Sequence, residues 1–218
     1  MKRIEVPYID QTQRYPTGCE SISAVMLLGY LGYSMEPETF IDQYLPKKDL
    51  WFRDGVLYGP HPDQAFIGSP YNDERGSFGC YAPCIASALA PVVGDRYQVQ
   101  VEKGRSLEHL CRAYIDRDMP VILWATLNME PSSPGPIWRL ADGEPFQWRS
   151  HQHCLLLVGY DESRYFFNDP WQNKGCIGYD KALADQRYRE LGMQAVGLLT
   201  GKNAGMFCEK SHGEVSTL

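Results

Sequence analysis

No run of apolar residues in this chain is long enough to cross a bilayer, no dense cluster of Lys and Arg marks a face for nucleic acid, and histidine is scarce, with five in 218 residues. Each shortage excludes something. A membrane-spanning helix needs about 20 consecutive apolar residues, so no membrane span is expected. Binding a phosphate backbone needs concentrated positive charge, and the formal charge here is -6, so nucleic acid is not an expected partner. The opening Met1-Lys2-Arg3-Ile4-Glu5-Val6-Pro7 has a basic start with no apolar run behind it, unlike a signal peptide. As the chain stands this implies a cytoplasmic protein, or an extracellular one if an export signal has been trimmed. Internal repeats and low-complexity tracts are also missing.

Cysteine, by contrast, is present in an odd number: Cys19, Cys80, Cys84, Cys111, Cys154, Cys176 and Cys208. Seven thiols spread over a chain with ample core fit free or buried cysteines better than a disulfide framework, and favour a reducing compartment. With 44% hydrophobic and 22% charged residues the composition is that of an ordinary globular domain. One domain over residues 1–200 is expected, followed by a polar tail, 201–218, that frays.

Helix signals come first along the chain. Ile4, Val6 and Tyr8 alternate in an extended lead-in, and Thr17 followed by Glu20 reads as a capping box before the apolar run Ile22–Leu31, which Gly32 ends. Further helices are expected over 36–44, from Pro83 through Ala90, and over 107–115. Strand signals follow: Val121–Leu127, a hairpin of His153–Tyr160 and Tyr165–Asn168 joined through Asp161-Glu162-Ser163, and Gln194–Thr200. Helices first and antiparallel strands later give an α+β class. The stretches 51–79 and 128–150, rich in Gly, Pro and aromatics, read as ordered loops walling a cleft.

The capping box places Cys19 at the second position of a helix, where unpaired amides and the helix dipole favour a thiolate, the reactive form. Gly18 before it leaves room for a substrate carbonyl. A lone buried cysteine is otherwise just a small apolar side chain, so a base must be found. His212 falls in the tail and His109 on a charged helix face, while His61 sits in the loop Gly59-Pro60-His61-Pro62 as a cleft candidate. His153 opens the apolar strand Cys154-Leu155-Leu156-Leu157-Val158, which would fix its ring, and His151 competes with it. Across the hairpin, Asp169 can accept from the imidazole and hold its tautomer. Trp171 is positioned either to shield that bond or simply to pack the hairpin.

His153-Cys154-Leu155-Leu156-Leu157-Val158-Gly159-Tyr160 and Asn168-Asp169-Pro170-Trp171 resemble the histidine strand and the Asn/Asp strand of papain-superfamily cysteine peptidases. Tyr15-Pro16-Thr17-Gly18-Cys19-Glu20-Ser21 is similar to the bacteriocin leader-processing branch, the double-glycine peptidases, and more so to its stand-alone bacterial relatives. Gly59-Pro60-His61-Pro62, Phe66-Ile67-Gly68-Ser69-Pro70 and Gly79 resemble a loop of those relatives, and the likeness covers roughly residues 4–200. It implies a papain-like fold, with a buried N-terminal helix carrying the nucleophile packed on a C-terminal antiparallel sheet. It also implies a thiol hydrolase cleaving peptide bonds without a cofactor: Cys19 attacks, His153 moves the proton, Asp169 orients it, and an upstream glutamine joins the Cys19 amide in an oxyanion hole. Gln11 is the preferred glutamine and Gln13 the alternative.

The sequence departs from the leader-processing transporters in having neither membrane spans nor a phosphate-binding ATPase loop, so cleavage after paired glycines does not carry over. A zinc site from Cys80-x-x-x-Cys84 with His151-Gln152-His153-Cys154 lacks the tight knuckle spacing, and no metal is expected. Glu20 could be read as a catalytic acid, but as the partner of Thr17 it already has a structural role. Two other functions fit the same residues: a catalytically silent module binding peptides or cell-wall fragments, and an acyl or amide transferase. The expected partner is a peptide or protein substrate, and nothing in the sequence sets the oligomeric state.

Overall fold

The computed structural model describes residues 1–73 and 76–201; the expected frayed tail, with Cys208 and His212, lies outside the described residues save for Gly201. In chain order the elements are β1 (Lys2–Arg3), α1 (Cys19–Tyr30), α2 (Pro37–Thr39) running into a π turn over Phe40–Tyr44, β2 (Lys47–Lys48), β3 (Trp51–Arg53), β4 (Val56–Tyr58), β5 (Phe66–Ile67), α3 (Ala82–Val93), β6 (Tyr97–Lys103), α4 (Leu107–Ala113) and β7 (Val121–Thr126). They continue with β8 (Ser133–Arg139), β9 (Pro145–Ser150), β10 (Gln152–Tyr160), β11 (Arg164–Asp169), β12 (Gly175–Asp180), α5 (Lys181–Glu190) and β13 (Gln194–Thr200). No helix among the described residues is long and apolar enough to cross a membrane.

The main sheet runs β12-β11-β10-β7-β13-β6, antiparallel throughout, with β1 pairing the end of β10 that β7 leaves free. β7 is buried along its whole length and β10 from His153 to Gly159, as their apolar runs require of central strands. α1 packs on β10 and β7 and is buried from Cys19 to Leu28. Full burial of a side chain such as Leu27 or Leu28 contributes about 1.5–3 kcal/mol each, so this face holds the helix in place. At its far end Gly32, at φ +81°, closes the helix as a Schellman motif: the Gly32 amide donates to the Gly29 carbonyl and the Tyr33 amide to the Leu28 carbonyl.

The architecture is therefore α+β and papain-like, as expected. Of the main sheet and its helices, three elements were not anticipated: β6, although Tyr97, Val99 and Val101 alternate with polar residues; β12, whose glycines mask its pattern; and α5, whose start Asp180 caps by accepting from the Leu183 amide at 3.1 Å.

The stretches expected as cleft loops form a second sheet instead, β3-β4-β8-β9, in which β4 and β8 run parallel. Its side chains explain why. Trp138 and Trp148 are buried, with ring centroids 6.2 Å apart, and Phe78, Tyr81 and Phe146 pack around them. This separate apolar cluster has enough aromatic area to order strands whose prolines and glycines disguise them.

Candidate active site

The mouth of α1 differs from its expected form. The Thr17 hydroxyl donates to the carbonyls of Ser69 (3.0 Å) and Asn72 (2.9 Å), tying down the 69–72 loop, and no side chain caps the helix. Gly18 is the N-cap residue, with its carbonyl accepting from the Ile22 amide at 3.0 Å, so Cys19 is the first helical residue and not the second. The capping box fails because both of its side chains are engaged by distant segments. Gly18 is also fixed sterically: a Cβ there would stand 2.9 Å from the Tyr15 Cβ.

Glu20 is fully buried beneath the nucleophile. Its Oε1 accepts from the Cys80 amide (2.9 Å) and from Gln152 Nε2 (3.0 Å), and its Oε2 accepts from the Cys19 thiol, with Sγ at 3.3 Å. Burial pushes the Glu20 carboxyl up to about 7 against those stabilising hydrogen bonds. The Cys19 thiol is raised well above its ordinary value, first by burial and then by the Glu20 charge and the neighbouring Cys154; the Cys154 backbone opposes this. The expected thiolate is therefore a neutral thiol in this arrangement. Cys19 lies beside the strand that carries His153, since the adjacent pair Glu20 and Gln152 touch, yet no hydrogen bond joins its sulfur to the imidazole.

His153 and Asp169 do come together. They stand on the neighbouring antiparallel strands β10 and β11, and His153 Nε2 is 2.7 Å from Asp169 Oδ1 with both side chains buried. Asp169 also accepts from the Trp171 amide at 3.0 Å, and its Oδ2 takes Lys174 Nζ at 3.0 Å and the Tyr179 hydroxyl at 3.3 Å. Burial drives the carboxyl up, but the His153 imidazole, the Trp171 amide and Lys174 outweigh it and bring it down to about 2. With Nε2 committed to a carboxylate, Nδ1 is the ring nitrogen left for a proton transfer.

The two glutamines separate clearly. Gln11 is buried; its Nε2 donates to the carbonyls of Tyr15 and Pro16, both at 3.2 Å, and its Oε1 has no partner. Its backbone amide donates to the Pro170 carbonyl at 2.9 Å, which ties the turn before Cys19 to the turn after Asp169. Gln13 is exposed. Trp171 is half-buried and contributes its amide to Asp169. His151 occupies the exposed turn between β9 and β10 at φ +64°, its Nδ1 3.1 Å from the Pro131 carbonyl oxygen. His61 packs edge-on against Phe146 in the aromatic cluster, its Nδ1 accepting from the Asp63 amide. Among the described residues no three His, Cys, Asp or Glu side chains converge as metal ligands.

Sequence reasoning missed Lys174, Tyr179 and Gln152, which reach the site from the turn before β12, from β12 and from the start of β10 respectively. Only the proximity of Gln152 to His153 offered a signal. A cavity of about 960 Å³ is lined by Leu50, Phe52, Leu57, Phe78, Asp49 and Asp73 among others, beside the Ser69 and Asn72 carbonyls that Thr17 holds; Cys19, His153, Asp169 and Gln11 do not line it.

The model of the Peptidase_C39 like family matches residues 3–196 of the chain. The uncharacterized protein YvpB of Bacillus subtilis (strain 168) is 26% identical over 183 residues, 84% of this chain and 69% of YvpB. Among solved structures, a candidate C39-like peptidase from Bacillus anthracis superposes with a TM-score of 0.80 at 22% identity, covering 92% of this chain and 98% of the other. A double glycine motif protease from an AMS/PCAT transporter, solved with its leader peptide, gives 0.52 at 15% identity, over 91% and 94%. The peptidase domain of Streptococcus ComA gives 0.50 at 12%, over 92% and 99%. At these identities the structures share the fold.

Proposed function

Because the chain belongs to the Peptidase_C39-like family, we propose that it is a thiol hydrolase acting on peptide bonds, with Cys19 as nucleophile, His153 as general base and acid, Asp169 orienting His153, and Gln11 with the Cys19 amide as the oxyanion hole. The observation that carries this reading is the buried 2.7 Å contact between His153, on the strand against which the Cys19 helix packs, and Asp169 on the next strand.

The steps follow from the groups available. Cys19 gives its proton to His153 Nδ1 as sulfur attacks the scissile carbonyl, and Asp169 stabilises the imidazolium through Nε2. The tetrahedral oxyanion sits at the mouth of α1, where the Cys19 amide has no helical partner, and the Gln11 amide turns toward it. His153 protonates the departing amine and leaves a thioester. It then takes a proton from water, which attacks the thioester, and returns that proton to sulfur as the acid leaves.

Turnover of a mixed-sequence peptide library by wild type and Cys19→Ala tests the reading. The variant is expected to lose hydrolysis while keeping its melting temperature within a few degrees; retained hydrolysis ends the proposal. One observation favours the silent binding module: the thiol bonds to Glu20 and not to His153. A wild type that binds library peptides without cleaving them would support that reading.

A further inference from the structure

We propose that Glu20 is a positioning residue for the reaction, holding the Cys19 thiol protonated in a resting orientation from which sulfur must swing away before His153 can take its proton. The inference rests on the hydrolase reading above for the role of Cys19, but its geometry stands separately.

Glu20 follows the nucleophile directly and is fully buried, although a carboxylate is among the side chains least often buried without a cationic partner. No Lys, Arg or His among the described residues forms a salt bridge with it. It is built in nonetheless. Three donors converge on it: the Cys80 amide and Gln152 Nε2 at Oε1, and the Cys19 thiol at Oε2. Gln152 is fixed in turn, since its Nε2 also reaches the Cys80 carbonyl at 3.2 Å, and that oxygen accepts from Trp124 Nε1 at 2.8 Å. Gly79 leaves the necessary space: a Cβ there would lie 2.4 Å from Glu20 Oε1.

The groups facing this carboxyl make its influence one-sided. From α1 comes Cys19, from the segment entering α3 Cys80 with Cys84 behind it, and from β10 Cys154 with the uncharged Gln152. All are neutral or negative, and the imidazole that follows Gln152 on β10, His153, is committed to Asp169. A carboxylate in contact with sulfur keeps the proton on it. A substrate carbonyl entering the oxyanion hole would draw sulfur toward the cleft, where the proton passes to His153 and on to the departing amine; on release of the acid product a proton taken from water returns to the thiol through His153. Oxidation and alkylation of the free thiol, which require thiolate, are thereby slowed relative to the same site without the carboxylate.

The test is the pH dependence of Cys19 alkylation by iodoacetamide, read at that residue by mass spectrometry in wild type and Glu20→Gln. The glutamine keeps an oxygen for the Cys80 amide and Gln152 and turns its own amide to sulfur. The midpoint is expected to fall by about one pH unit or more, a roughly tenfold larger thiolate fraction at pH 7. An unchanged midpoint in a folded variant overturns the role. If Glu20→Gln does not fold, the wild type still decides: the infrared S–H band isolated by subtracting the Cys19→Ala spectrum is expected below the frequency of unbonded thiols, and a band at the unbonded frequency overturns the proposal. Neither readout needs turnover. A chain that hydrolyses nothing yet shows the shift keeps the Glu20 contact and loses only the hydrolase reading.

Discussion

Two carboxylates, both fully buried, lie on either side of the candidate catalytic pair, and their environments push them in opposite directions. Asp169 is held by hydrogen-bonding partners, His153, the Trp171 amide and the Lys174 ammonium, and falls to about 2. Glu20 is surrounded by thiols, an amide and a glutamine, and rises to about 7. Burial alone acts in the same direction on both; the neighbours decide the outcome. One side of the site is thus an ionised carboxylate that orients the imidazole, while on the other a carboxyl raised toward neutrality holds the proton on sulfur.

The comparison can be broken most severely at His153. His153→Ala removes the proton carrier and leaves Asp169 with the Trp171 amide, Lys174 and Tyr179, and hydrolysis is expected to fall on the order of 10⁴-fold in kcat/KM. Asp169→Ala comes next, with a loss of roughly 10²-fold or more as the ring loses its tautomer and orientation. It should also lower stability in denaturant by roughly 3 kcal/mol, the lower end for a broken buried pair, because Lys174 keeps some contact with water. Gln11→Ala should reduce kcat by about 10²-fold as one oxyanion donor is lost, and Gln13→Ala, exposed, should leave it unchanged. Equal effects of the two would reject Gln11 as the oxyanion residue.

Stability against pH sharpens the contrast without substrate. Asp169, depressed below 3.8, contributes stability that is present at neutral pH and lost as pH falls through about 3.8 to 2. Glu20, raised from 4.5 to about 7, binds its proton more tightly in the fold, so its contribution is lost as pH rises across that window. Denaturation midpoints should therefore fall between pH 4.5 and 7 in wild type, and Glu20→Gln should remove that component. The smallest effect is expected of Gly79→Ala: at φ +136°, with its new methyl against Glu20, it should cost about 1–3 kcal/mol in a melting experiment.

What could be read from the sequence divides along the same physical line. α1, β7, β13 and the β10–β11 hairpin are visible because each carries an uninterrupted apolar pattern, and the papain-like class follows from their order. The small sheet is not, since β3, β4, β8 and β9 are ordered by aromatic packing between segments far apart in the chain, through prolines and glycines that read as loop. The capping box was misread for a related reason. Thr17 and Glu20 stand at the right spacing, but Ser69, Asn72, Cys80 and Gln152, all remote in sequence, hold their side chains instead. Local spacing names candidates; which partner wins is set by tertiary contacts.

The most direct measurement is residue-resolved labelling with a thiol-directed electrophile near neutral pH. If His153 activates Cys19, that position is labelled well ahead of the other thiols, although it is buried and held by Glu20, and the preference disappears in His153→Ala. Uniform labelling, or a preference for Cys19 that survives the loss of His153, would contradict the account.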